Sequence, residues 1–269
     1  MFERIKKTRS DTKQYEVTYS MLEIYNEKVR DLLIPEERSP SGGLKVRERP
    51  NGECYAEGQS DKVVTAYRDI EALMDYGNKN KTIGETKMNK ESSRSHTVIT
   101  IKFKQIELVG KKQSIKSPVI NLVDLAGSEK SSQTGAEGDR LKEGIAINKS
   151  LTTLGMCINI LSEKACGKAK KEVVPFRNSV LTRLLQNALC GNSKTIMVCA
   201  LSPASSNYEE TLNTLRYAER AKKIELKASV VESAQDKLLR EMKDEIERLR
   251  NELAGKGPGA SACSSDDAN

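Results

Sequence analysis

A run of apolar residues, Val119-Ile120-Asn121-Leu122-Val123, ends directly on Asp124-Leu125-Ala126-Gly127-Ser128-Glu129. A strand that stops on a carboxylate, with a glycine three positions further on, limits what can be built around it. The carboxylate can hold a magnesium ion, directly or through water, and Gly127 lets its backbone N–H approach a phosphate oxygen. Just upstream, Thr97 to Phe103 alternates, with Ile99, Ile101 and Phe103 on one face and Thr100 and Lys102 on the other. The polar link between the two segments predicts a hairpin. Downstream, Ile147, Leu151, Leu154, Ile158 and Leu161 recur at spacings of four and three, which is one face of a long helix.

The remaining pattern extends this alternation of strand and helix. Tyr15 to Ile24 reads as a strand, and Asn26 to Leu33 as a short helix ended by Pro35. A loop from Pro35 to Gly43 leads into a strand-rich region through about Val64, and Asp69 to Asn80 reads as helix. Further helices are expected over Ser179 to Leu189 and Glu209 to Ile224, with a buried-type strand, Thr195 to Leu201, between them. Together these predict a three-layer α/β domain with a central mixed sheet.

Composition narrows the chemistry. With 37% hydrophobic and 31% charged residues, the chain can build a core, and it has no apolar stretch long enough to span a bilayer. The N-terminal residues carry no signal-peptide pattern, so the expectation is a soluble cytoplasmic protein. Six cysteines without Cys-x-x-Cys spacing and a single histidine exclude a zinc framework and argue against a Ser-His-Asp mechanism. His96 reads as a hydrogen-bonded residue opening a strand. The net charge of +7 favours an acidic partner, while 4% aromatics without Trp offer little for stacking on single-stranded bases.

Asp-x-x-Gly alone recurs by chance; a second string sharpens it. In Asn89-Lys90-Glu91-Ser92-Ser93-Arg94-Ser95-His96, three hydroxyls within four positions suit magnesium ligation and the orientation of a water. Arg94 is the natural counter-charge for Glu129, and an Arg–Glu pair between two loops forms a latch that closes in one state only. The plain alternative is a Ser-rich turn beside a solvated Arg and a surface Glu.

Taken together, the two strings resemble the switch I and switch II signatures of the kinesins. The resemblance extends to Leu22-Glu23-Ile24-Tyr25-Asn26-Glu27-Lys28-Val29-Arg30-Asp31-Leu32-Leu33, to Leu141-Lys142-Glu143 through Asn148-Lys149-Ser150-Leu151, and to Val174-Pro175-Phe176-Arg177 through Leu185. Thr214 through Lys222 is similar to the last helix of the motor core. The resemblance implies a kinesin motor fold of the P-loop NTPase type over residues 1–224, a neck linker over 225–234, a neck helix or short coiled coil over 235–254 and a disordered tail over 255–269. It implies ATP and Mg2+ as cofactors. Ser92 and Ser93 would meet magnesium and the γ-phosphate side, Asn89 would belong to the same pocket, and Asp124 would hold magnesium's water. Gly127 would sense the γ-phosphate, and Arg94 with Glu129 would position the attacking water.

Lys164, Lys168, Lys170 and Lys171 are interleaved only with Ala, Cys and Gly, directly before Val174-Pro175-Phe176-Arg177. Alone, such a run is a solvated loop. In kinesins this place faces tubulin, so the resemblance implies a microtubule contact by these lysines with Arg177 and Arg183. A lysine-rich insertion here is similar to the kinesin-3 class; Asn178 departs from the Asp that many kinesins carry. Leu239, Met242, Ile246, Leu249 and Leu253 follow heptad spacing, enough for a weak homodimer or for packing back on the motor. A motor placed before its neck implies plus-end travel.

No Gly-x-x-x-x-Gly-Lys-Ser/Thr occurs in the 269 residues. Gly191-Asn192-Ser193-Lys194-Thr195 lacks both the spacer and the Gly before Lys. The expectation is therefore a partial motor whose phosphate loop and first strands lie outside these residues. A microtubule-binding protein without ATPase activity stays open as the alternative. A GTPase is disfavoured because Asn148-Lys149-Ser150-Leu151 fails a guanine signature at its last position, and nucleic-acid binding rests on charge alone.

Overall fold

The computed structural model describes residues 1–50, 52–88, 94–109, 112–127, 139–168, 171–226, 242, 245–246 and 248–251. Two compact units, Met1–Ser229 and Val230–Asn269, divide the chain. In the first, β1 (Lys13–Tyr25) and β6 (His96–Val109) form the spine of the sheet, paired antiparallel from Lys13↔Glu107 to Ile24↔His96. On the free edge of β1 lie β2 (Lys28–Asp31) and β5 (Lys62–Val63); on that of β6 lie β7 (Lys112–Lys116) and β8 (Val119–Asp124). A separate hairpin joins β3 (Val46–Glu48) to β4 (Cys54–Ala56).

The two-residue period of β1 sorts its side chains onto two cores. Val17, Tyr19 and Met21 face one side with Ile99, Ile101 and Phe103 of β6, and are covered by α1 (Phe2–Thr8) and α2 (Tyr67–Met88). Leu22, Ile24 and Val98 face the other, against Leu154 and Ile158 of α3 (Asp139–Ala165), Leu181 of α4 (Val180–Leu184) and Tyr217 of α6 (Tyr208–Lys222). Helices thus cover both faces of a central sheet. At Gly77 α2 lies so close to the sheet that a Cβ would run into Met21 Sδ. The start of α2 is held by Asp69, whose Oδ2 accepts from Thr65 N–H at 2.7 Å and Ala66 N–H at 2.9 Å. Those bonds keep its carboxyl below the usual carboxylate range, the Thr65 amide contributing most.

Several expectations hold. Thr97–Phe103 and Val119–Val123 do pair antiparallel, Val98 opposite Val123 and Ile101 opposite Ile120, and the polar link between them adds β7. The long helix is α3, with Leu154 and Ile158 of the apolar stripe buried.

Four expectations are corrected. Asn26–Leu33 is not a helix: Asn26 (φ 49°) and Glu27 (φ 58°) make a two-residue turn with both residues left-handed, and β2 folds back along β1 from Tyr25↔Lys28. That is the twist a tight hairpin requires. Ser179–Leu189 is two short helices, α4 and α5 (Gln186–Cys190), broken at Leu185. Thr195–Leu201 forms no strand; Ile196 is 80% and Val198 91% exposed, with no ladder beside them among the described residues. The sheet is not mixed among the described residues, since every pairing there is antiparallel.

In the second unit Met242, Ile246 and Leu249 are helical and exposed. Leu239 and Leu253 of the heptad lie outside the described residues. Among the described residues no helix is long and apolar enough to cross a membrane.

Candidate nucleotide and filament site

Asp124 ends β8 opposite Thr97, the second residue of β6, with its side chain exposed at the sheet's open end. Thr97 Oγ1 in turn accepts from Lys81 Nζ of α2 at 3.1 Å. The chain then turns inward. Ala126 is buried, and its N–H donates to Nδ1 of His96 at 2.9 Å. On the far side of the ring, Nε2 lies 2.8 Å from Ser150 Oγ on α3. An Nδ1 that accepts a backbone N–H carries no proton, so Nε2 carries it and donates to Ser150. His96 is only 2% exposed. Burial first, and the nearby Lys81 ammonium second, push its pKa down to about 4, with Asp124 pulling the other way. The single histidine is therefore a neutral bridge between β8 and α3, and a strand opener as expected.

Three elements thus converge: the end of β8 with Asp124 and Gly127, the start of β6 with Arg94 and Ser95, and the α3 turn around Ser150. Arg94 is half-buried. Asn89, Ser92, Ser93 and Glu129 lie outside the described residues, so the latch and the serine ligands have no geometry here. Ser95 Oγ is buried with no hydrogen-bond partner among the described residues. A buried hydroxyl without a partner, two residues before the Thr97 that pairs with Asp124, fits a site completed by a polar group. Among the described residues no cluster of three His, Cys, Asp or Glu could hold a metal. Magnesium needs none when phosphates supply most of its ligands, one carboxylate such as Asp124 being enough from the protein.

The basic residues divide. Lys164 closes α3 half-buried, Lys168 and Lys171 are exposed in the following loop, and Lys170 lies outside the described residues. Arg177 is 85% exposed on its side chain and reaches Glu48 of β3 at 3.5 Å, a pair worth little in solvent. Arg183 instead donates to Val46 O at 2.9 Å, pinning α4 to the β3–β4 hairpin. Glu27 makes a further tie. Its two carboxylate oxygens accept from Ser179 Oγ–H and from Val180 N–H, each at 2.9 Å, so the β1–β2 turn caps α4. Sequence reasoning missed this cap because it placed Glu27 inside a helix. Lys81 was also missed: within α2 nothing in its spacing separates it from neighbouring lysines.

The kinesin motor domain family profile matches residues 1–224. The chain belongs to the kinesin family. Kinesin-like protein KIF13A of Mus musculus is 50% identical over 256 residues, covering 94% of this chain and 14% of the relative. Kinesin-like protein KIF1A of Rattus norvegicus is 50% identical over 267 residues, covering 96% of this chain and 16% of its own. These relatives are of the kinesin-3 class. The chain thus spans a small part of the curated kinesins it matches. Among solved structures, a KIF14 dimer in a two-heads-bound state, with AMP-PNP and in complex with a microtubule, superposes with a TM-score of 0.79 at 44% identity. That match covers 90% of this chain and 67% of the other. A fast kinesin, described for its ATPase mechanism and microtubule interactions, gives 0.76 at 41% identity, covering 87% of this chain and 62% of its own.

Proposed function

We propose that this chain is the switch-bearing part of an ATP-driven, plus-end-directed microtubule motor acting on the cytoplasmic cytoskeleton. The observation that carries the proposal is the convergence of β8's end, β6's start and α3 at His96, which joins the candidate phosphate sensor to the long helix. Asp124 would hold Mg2+ through water, with Ser92 and Ser93 on the γ-phosphate side and Asn89 in the same pocket. Magnesium supplies charge neutralisation on the phosphates. Gly127 presents its N–H to a phosphate oxygen, and Arg94 closes on Glu129 to orient the attacking water. The loop that cradles the phosphates is absent from the sequence and would come from polypeptide outside these residues. The exposed apolar side chains of β8 and of 195–201 support such an attachment.

Lys164, Lys168, Lys170, Lys171 and Arg177 would tether the acidic surface of tubulin. Screening over about 8 Å at physiological salt makes them a diffuse attraction. Arg183 contributes by fixing α4 for that contact. Residues 1–224 would be the motor, 225–234 the linker, 235–254 a neck helix able to form a weak homodimer, and 255–269 a tail; sedimentation over a concentration series tests the dimer.

The decisive test uses Glu129→Ala and Arg94→Ala in the full-length protein. Both variants should bind Mg·ATP and fail to turn it over, and normal microtubule-stimulated turnover in either would refute the latch. A non-catalytic microtubule binder is the second reading, favoured by the missing Gly-Lys-Ser/Thr loop. It predicts microtubule cosedimentation that ATP leaves unchanged.

A further inference from the structure

We infer that His96 is a rigid coupling between the phosphate-sensing end of β8 and α3, so that displacement of the Ala126–Gly127 backbone reaches the long helix through one imidazole ring. The inference rests on the nucleotide reading above and adds to it a route and a positioning residue.

The ring has no slack. Nδ1 takes the Ala126 N–H at 2.9 Å and Nε2 gives its proton to Ser150 Oγ at 2.8 Å, so rotation about its bond to Cβ breaks both contacts. Ala126, His96 and Ser150 are all buried, which leaves no water to replace either partner. The base of the ring is equally fixed: His96 pairs with Ile24 across the spine of the sheet, and its neighbour Thr97 pairs with Asp124. Packed interiors transmit such shifts instead of absorbing them. By the chain, the path from Ala126 to Ser150 runs through everything from Gly127 to Lys149. By the ring it is two hydrogen bonds.

The neutral state is part of the device. Ala126 offers only a donor, so a protonated ring would set N–H against N–H. Burial and Lys81 together hold that proton off. Gly127, the residue proposed to meet phosphate, is the next residue after the one the ring holds. A movement there of a few tenths of an ångström would either carry Ser150 along or break a buried bond.

In the full-length protein, which supplies the phosphate loop, the His96 ring nitrogens are identified by 15N NMR as the signals that His96→Gln removes. The experiment compares that protein with its Ser150→Ala and Ser150→Thr variants, each with and without Mg·AMP-PNP. It reads the His96 ring shifts together with amide hydrogen exchange over residues 149–158. In the unaltered protein the nucleotide should shift Nδ1 and change exchange in that stretch severalfold. Ser150→Ala should keep the Nδ1 shift and lose the α3 response, while Ser150→Thr, which retains the hydroxyl, should restore it. A Ser150→Ala protein whose α3 responds like the unaltered one overturns the coupling and leaves the nucleotide reading standing. So does one that loses its fold, because the bond is then a structural requirement. An unaltered protein in which neither signal responds overturns the nucleotide reading, and the coupling with it.

Discussion

Two strands of the sheet, β1 at its spine and β8 at its edge, are built on different terms. Along β1 both faces are sealed: Tyr19 and Met21 under α2, Leu22 and Ile24 under α3 and α4. Along β8 all six residues are exposed, although Ile120, Leu122 and Val123 are as apolar as anything in the core. Composition does not separate the two strands; what covers them does. One half of the molecule derives its stability from burial inside this chain, and the other half presents apolar surface that nothing among the described residues buries.

That contrast can be broken or sharpened by measurement. Leu181 is fully buried between sheet and helices. Leu181→Ala should cost about 3–4 kcal/mol in urea unfolding, the range for a well-packed leucine. A loss below about 1 kcal/mol would mean that the sealed half is not the stable one. The next effect is set by pH. His96 is held near pKa 4 in the folded protein against 6.5 in the unfolded chain, so the unfolded state binds the extra proton. Its contribution is complete above pH 6.5 and declines as pH falls towards 4, a loss of about 3 kcal/mol. A His96→Gln protein should lack that part of the acid sensitivity, and identical pH profiles for the two would contradict the buried neutral bridge. Glu27→Ala, which uncaps α4, should cost about 1 kcal/mol. Smallest of all, Val198→Ala on the open side should change stability by less than about 0.5 kcal/mol. A large loss there would show that the 195–201 segment is covered after all.

The sequence made the sealed half legible where periodicity is strong. Alternation in Thr97–Phe103 placed Ile99, Ile101 and Phe103 on one core, and the four-three stripe of α3 located Leu154 and Ile158. It failed where a segment's fate depends on a distant neighbour. Thr195–Leu201 has the composition of a central strand, but a strand exists only beside another strand. Asn26–Leu33 failed for a local reason: Asn26-Glu27 lacks the glycine that usually marks a left-handed turn, and a run of helix-compatible residues hid it. The strings around Ser92–His96 and Asp124–Glu129 carry their family resemblance at short range, through paired hydroxyls, an Arg and Asp-x-x-Gly, while the roles of their residues belong to the proposal. That His96 joins β8 to α3 was not legible, since its partners stand 30 and 54 residues away.

The Glu27 cap has a consequence in time. Its partner Ser179 is 152 residues further along the chain. At a synthesis rate of about 5–20 residues per second, the finished hairpin would wait about 8–30 s on the ribosome before α4 exists to be capped. Glu27 can therefore do nothing for the birth of its own hairpin. Its carboxylate is a late fastener, and its loss should speed unfolding while leaving the rate of folding almost untouched.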